Sequence, residues 1–260
     1  MKLYSLYTHH HKIFKDEWFL PSLKDQFEIN ISEYSIKDEG EIGNNAFRKA
    51  MVLKVSTIIN AIKDNFLESI IYSDIDVQFF QNFEDFIRCN ILDYDLLIQR
   101  DSPFGVFCAG FMVIKCNQNT LSLFERIKEL MLERNTHDDQ QILNELLFYN
   151  IIESNLFVRL KAFSIRRYNK LKSALLKREN KSYKLFTKFK NPFNLKIKHL
   201  PATFFGGGTF TADLWKPGDD LIIPDNIILH HANWTIGIEN KLEQLKYVKD
   251  AVAMLSKDNQ

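Results

Sequence analysis

Short apolar runs of strand length alternate along this chain with longer stretches whose apolar residues recur at helical spacing. The runs fall at residues 2–7, 27–34, 69–80, 94–99, Phe107–Lys115 and 227–231. Residues 12–24 read as helical, and 45–65 carries Phe47, Met51, Val55, Ile58, Ile59 and Ile62 on one face. A short helix is expected over 82–88. Leu121, Phe124, Ile127, Leu130 and Met131 mark the buried side of a helix over about 119–134. The helix expected over 138–149 opens on two acids, which suits the positive end of a helix dipole. A last helix, about 239–255, buries Leu242, Leu245, Val248, Val252 and Leu255. Strands alternating with helices predict an α/β fold with a mostly parallel central sheet flanked by helices. At 260 residues, 45% of them hydrophobic, the chain fits one large α/β domain with a sizeable core over 1–260, or two small ones.

Within that pattern the run Ser69-Ile-Ile-Tyr-Ser-Asp-Ile-Asp-Val-Gln-Phe-Phe80 reads as a buried strand delivering Asp74 and Asp76 to its C-terminal edge. Open α/β sheets bind their ligands at such edges. Alternate residues of an extended segment point the same way, so both carboxylates can face one divalent cation. Hard oxygen ligands suit magnesium or manganese, particularly where the metal also grips a diphosphate. The plain alternative is a pair of loop acids after a strand.

Other features narrow the function by charge and chemistry. Net charge is +1, so no global field argues for nucleic acid. Residues 161–199 form a basic insertion, with thirteen Lys or Arg against one acid and Phe186, Phe189 and Phe193 among them. It suits either contact with an anionic membrane surface, an anionic acceptor or nucleic acid, or a solvated helix and loop. His9-His10-His11 reads as a polar turn, because consecutive side chains cannot all converge on one ion. Gly206-Gly207-Gly208 marks either a flexible lid or a tightly approached loop. Cys89, Cys108 and Cys116 are odd in number and spaced unlike a zinc site, which favours a reducing cytosol. No run approaches the roughly 18–20 apolar residues of a membrane span. A cytoplasmic protein, peripheral at a membrane at most, is the expectation.

Several motifs in order resemble one family. They are the helix bearing Lys54, Tyr72-Ser-Asp-Ile-Asp-Val77, Ala109-Gly110-Phe111, Asp139-Gln140 with Asn144, Leu200-Pro201, Phe205-Gly206, and His231-Ala-Asn233-Trp-Thr-Ile-Gly237-Ile-Glu-Asn-Lys241. The chain resembles the nucleotide-diphospho-sugar transferases of the Rossmann-like type-A glycosyltransferase fold. It is most similar to the retaining group whose plant members transfer xylose or arabinose, and more distantly to the retaining galactosyltransferase and glycogenin group. The resemblance implies a metal-dependent glycosyltransferase that moves a sugar from a nucleotide sugar, a UDP-sugar above all, to a glycan, protein or lipid acceptor.

It also implies roles. Asp74, Asp76 and His231 would hold Mn2+ or Mg2+, with Asp74 shared between metal and ribose. Lys241 would reach the diphosphate, with Gly237 and Lys54 also on the donor side. Thr8 and Tyr7 would meet the base. Gln140 would orient the donor and support an oxocarbenium-like state, and Asp139 and Asp101 would hold the donor sugar. For Asp139 a helix-capping role competes, and for Asp101 a surface ion pair with Arg100 does. One departure stands out: the galactosyltransferase group has Asn before Ala-Gly, and here Cys108 lacks an amide's paired donor and acceptor. Two other classes compete. One is a non-catalytic sugar- or nucleotide-binding module of the same fold. The other is an Asp-x-Asp phosphatase, disfavoured by Gln78 and by the motif's distance from the N-terminus.

Overall fold

The computed structural model describes residues 1–35, 45–102, 106–136, 138–149, 191–211 and 213–258. Most of the basic segment at 161–199 lies outside them. The central sheet holds β1 (Lys2–Thr8), β2 (Glu28–Tyr34), β3 (Ser69–Ser73), β5 (Leu96–Arg100), β6 (Phe107–Lys115) and β7 (Ile197–His199). Their order is β2-β1-β3-β6-β5-β7. Only β6 pairs antiparallel with its neighbours; the other five strands share one direction. The expectation of a mostly parallel sheet is borne out.

Period-two alternation explains the layering. Ile70, Tyr72, Leu96, Ile98, Met112 and Ile114 face one core with Val55, Ile58 and Ile62 of α2 (Asn45–Asp64) and Leu123, Phe124 and Ile127 of α4 (Gln118–Glu133). Ile71, Leu97, Phe111 and Val113 face a second core. There they meet Ile87 of α3 (Glu84–Ile91), Leu245 of α6 (Ile238–Asp258), and Phe14 and Phe19. Those two phenylalanines bound a wide-turned helical stretch, Phe14–Phe19, which runs into the short α1 (Leu20–Ser22). The helix α4 starts on a capping box in which Asn117 and Thr120 satisfy each other's backbone.

A second sheet of three strands, β4 (Val77–Phe79), β8 (Phe204–Gly206) and β9 (Leu229–His231), has the order β4-β9-β8. This alters the reading of the run 69–80. Ser73 is still paired with Phe111 in the central sheet, whereas Val77 is paired with His231 in the small one. One straight strand cannot serve both ladders. The chain bends between them, and Asp74, Ile75 and Asp76 are the bend.

Candidate active site

The bend lies at the edge where β1, β3 and β5 end, and it is held by backbone on both sides. The Asp74 amide donates to the Gly110 carbonyl at 2.7 Å, and the Ala232 amide donates to that of Asp76 at 3.0 Å. Because Val77 pairs with His231, β9 brings the imidazole beside Asp76. Ligating atoms of Asp74, Asp76 and His231 all lie within 4.8 Å of one another. The three residues are thus brought together, by a bend and not by strand alternation. Two carboxylates and an imidazole at this separation could hold a metal ion.

Charges around the bend are paired. His231 Nε2 sits 3.4 Å from Asp76 Oδ1, and the Lys241 ammonium from α6 is bonded to Asp76 Oδ2. Burial alone would raise the Asp76 carboxyl, yet Lys241 and His231 hold it well below the usual range. Burial would likewise lower His231, but the Asp76 carboxylate, with Cys108, raises it to about 10. Gly237, at φ +88°, takes the left-handed turn that starts α6, and its carbonyl accepts from the Lys241 amide at 3.1 Å.

Asp74 accepts from Tyr72 Oη at 3.0 Å and from Lys54 Nζ at 3.1 Å. Lys54, buried on α2, also reaches Asp139 Oδ2 at 3.2 Å. Burial alone would lower its ammonium; Asp139 and Asp74 together raise it. Asp139 opens α5 (Asp139–Asn144), but the helix cap is its neighbour Asp138, whose side chain accepts from the Gln141 amide at 2.6 Å. The carboxylate of Asp139 is therefore directed at Lys54 rather than at the helix end.

The third group surrounds Asp101, which is buried and not a surface ion pair. Trp234 Nε1 donates to Asp101 Oδ1 at 3.0 Å and Asn233 Nδ2 at 3.3 Å. Gln140 also bonds this carboxylate, while its Oε1 accepts from the Ala109 amide at 3.1 Å. Trp234 holds φ 54°, a strained value for a bulky residue and one often associated with functional sites. Cys108 Sγ lies 3.6 Å from both His231 Nδ1 and Asn233 Nδ2, so it touches the site from within β6.

At the end of β1, Thr8 Oγ1 is 2.7 Å from His11 Nδ1. Tyr7 donates from its hydroxyl to Glu33 Oε2 at 2.8 Å, on the β2 side. The three histidines form a single 3-10 turn, as their spacing suggests. Burial and the Lys241 ammonium lower His11, with Asp76 opposing, so its ring lies within the field of the Asp76–Lys241 pair.

Sequence reasoning missed Tyr72, Gln99 and His11, which sit in ordinary strand or turn patterns. It also left the three glycines undecided. A Cβ on Gly206 would meet the Asn233 side chain at 2.8 Å, and one on Gly208 would meet the Trp234 ring at 2.2 Å. The loop is tightly approached. Gly110 is more constrained still, since a Cβ there would lie 2.1 Å from the His231 ring. Gly110→Ala should displace the imidazole and reduce divalent-cation affinity and any turnover by about 100-fold, as misplacement by an ångström does. Calorimetric titration with manganese checks it, and unchanged affinity would contradict the geometry.

A family model described as nucleotide-diphospho-sugar transferase matches residues 24–245. The chain belongs to that family. Among solved structures, the glycosyltransferase GlyE of Streptococcus pneumoniae TIGR4 aligns at 12% identity with a TM-score of 0.42, over 78% of this chain and 46% of that one. A glycosyltransferase involved in the glycosylation of the major capsid of PBCV-1 aligns at 14% identity with a TM-score of 0.43, over 58% of this chain and 78% of that one. This chain thus spans less than half the length of the GlyE chain it matches. No curated protein matches it. The region matched to the family covers the bend, α5, β9 and Lys241. Among the described residues, no helix is long and apolar enough to cross a membrane.

Proposed function

We propose that this protein is a metal-dependent glycosyltransferase that moves a sugar from a UDP-sugar or similar donor to a glycan, protein or lipid acceptor. One observation carries the proposal: Asp74, Asp76 and His231 converge within 4.8 Å, with Lys241 on the same carboxylate. Manganese or magnesium held there would stabilise the departing diphosphate as a Lewis acid. Lys241 is suited to offset the charge that grows on that leaving group. Gly237 sets the start of the helix that carries it. Lys54 bridges the Asp74 and Asp139 carboxylates. Asp101 and Gln140, joined to each other, are assigned to the hydroxyls and orientation of the donor sugar, and Thr8 and Tyr7 to the base.

Retention of configuration follows the resemblance to the retaining groups. The family match favours transfer over the phosphatase alternative. We assign the basic segment to an anionic acceptor or membrane at the cytoplasmic face; liposome sedimentation and acceptor assays both unaffected by Lys-to-Ser changes there would refute this.

Incubating the protein with manganese and a panel of nucleotide sugars tests the main proposal. Donor hydrolysis or a calorimetric binding signal is expected for at least one donor. Silence across the panel would sink it, and tight nucleotide binding without turnover would favour the binding-module alternative.

The Asp101 group adds a pH dependence. Burial pushes this carboxyl up from 3.8 to about 6, against the hydrogen bonds from Trp234 and Gln140. The folded chain therefore binds this proton more tightly than the unfolded chain. Its contribution to stability falls as pH rises from about 3.8 to about 6. Donor binding that needs the ionised carboxylate should rise as pH climbs through about 6 and level off above it. Asp101→Asn should lack that acid limb in a plot of donor affinity against pH.

A further inference from the structure

Among the described residues that approach the His231 ring, besides Asp76, are Gly110, Cys108 beside Nδ1, and Gln99. Gln99 is wholly buried near the end of β5. The register between β5 and β6 shifts between Ile98 and Gln99: Ile98 pairs with Met112, but Gln99 pairs with Cys108. Bulges of this kind re-aim a side chain, and this one accompanies a Gln99 amide directed out of the central sheet toward β8 and β9.

The amide's orientation is determined by its partners. Its nitrogen donates to the carbonyls of Phe204 at 3.1 Å and Phe205 at 3.0 Å. An amide nitrogen has two hydrogens, and both are engaged. The oxygen is therefore the atom facing His231, 3.1 Å from Nδ1. An amide oxygen can only accept, so Nδ1 carries the proton. Nε2, which faces Asp76, is then the nitrogen a cation would take, displacing the proton directed at Asp76. The Cys108 thiol, at 3.6 Å from Nδ1, is the weaker partner.

We propose that Gln99 is a positioning residue for the metal centre: it fixes the ring of His231 and keeps the proton on Nδ1, so that Nε2 points at Asp76 and the cation. The inference rests on the metal reading above. Partners of this kind typically alter metal affinity by about 10–100-fold when removed. The alternative is that Gln99 only ties β5 to β8.

Two substitutions separate these roles. Gln99→Met fills the space but neither accepts from Nδ1 nor donates to β8. Gln99→Glu still accepts from Nδ1 and loses both donations. Manganese affinity by calorimetry and unfolding midpoint in chelator are measured for each full-length variant. Gln99→Met should bind manganese about 10–100-fold more weakly. Gln99→Glu should keep affinity close to that of the unsubstituted protein, although its midpoint falls with that of Gln99→Met. Equal loss in both variants, or loss in neither, would overturn the proposal while leaving the metal site intact. If the unsubstituted protein binds no manganese, the metal reading itself fails and this one with it. Nitrogen-15 spectra of the unsubstituted magnesium-loaded protein give an answer independent of folding in the variants. A proton on Nδ1 of His231 supports the proposal, and a proton on Nε2 overturns it.

Discussion

Lys54→Met is expected to lower the unfolding free energy by about 3–5 kcal/mol at neutral pH, the cost of breaking a buried charge pair from one side. The ammonium is enclosed between Asp74 and Asp139, at 3.1 and 3.2 Å. Methionine fills the aliphatic space but leaves two carboxylates facing each other without their cation. Asp139 is the more buried of the two, and burial already raises it despite Lys54. Without the lysine its folded-state pKa rises further above the unfolded value. Folded Asp139 then binds its proton more tightly than the unfolded chain does, and the variant regains stability as pH falls through that raised pKa. Urea midpoints at pH 7 and in mild acid should show a large deficit that narrows on acidification. A deficit independent of pH would point to lost packing instead of lost charge.

Asp76→Asn should behave in the opposite manner, with a large effect on activity and a small one on folding. The neutral amide keeps the shape but gives up the charge that attracts both a divalent cation and Lys241. Turnover and manganese affinity should fall by about 10²–10³-fold, the scale seen when one electrostatic contact to a transition state is lost. Folding should be less affected, because Lys241 is a quarter exposed and reaches water, while His231 can give up its proton. Activity at the unsubstituted level would remove Asp76 from the site. A collapse in stability to match Lys54→Met would mean that Asp76 mainly holds the fold together.

Much of the architecture was legible because burial on both faces leaves a simple mark. Ile70, Ile71 and Tyr72, like Leu96, Leu97 and Ile98, are unbroken apolar triplets, and each sends alternate residues into the two cores. The grouping of Asp74 and Asp76 with His231 came from the resemblance; no spacing rule links residues so far apart. The bend at Asp74–Asp76 was not legible, since apolar residues resume at Val77 and Phe79 with no glycine or proline to mark a change of sheet. Nor could the pattern say which of two adjacent acids caps α5, a matter of where each carboxylate points. Gln99 looked like any polar residue at a strand end. Its importance comes from three partners on β8 and β9, supplied by chain about a hundred residues away.

The pairing of β4 with β9 also sets an order of events in time. Val77–Phe79 has its ladder partner in Leu229–His231, so the strand that follows the acidic bend stays without that partner until some 150 further residues have left the ribosome. Pairings of such long range are slow to form, because the intervening loop must close before any contact rewards it. A nascent chain long enough to hold both aspartates still lacks His231 and Lys241. Completion of the site therefore reports that β9 and α6 have docked. Cation binding, followed during refolding, is expected to appear with the last structural phase rather than with collapse of the central sheet.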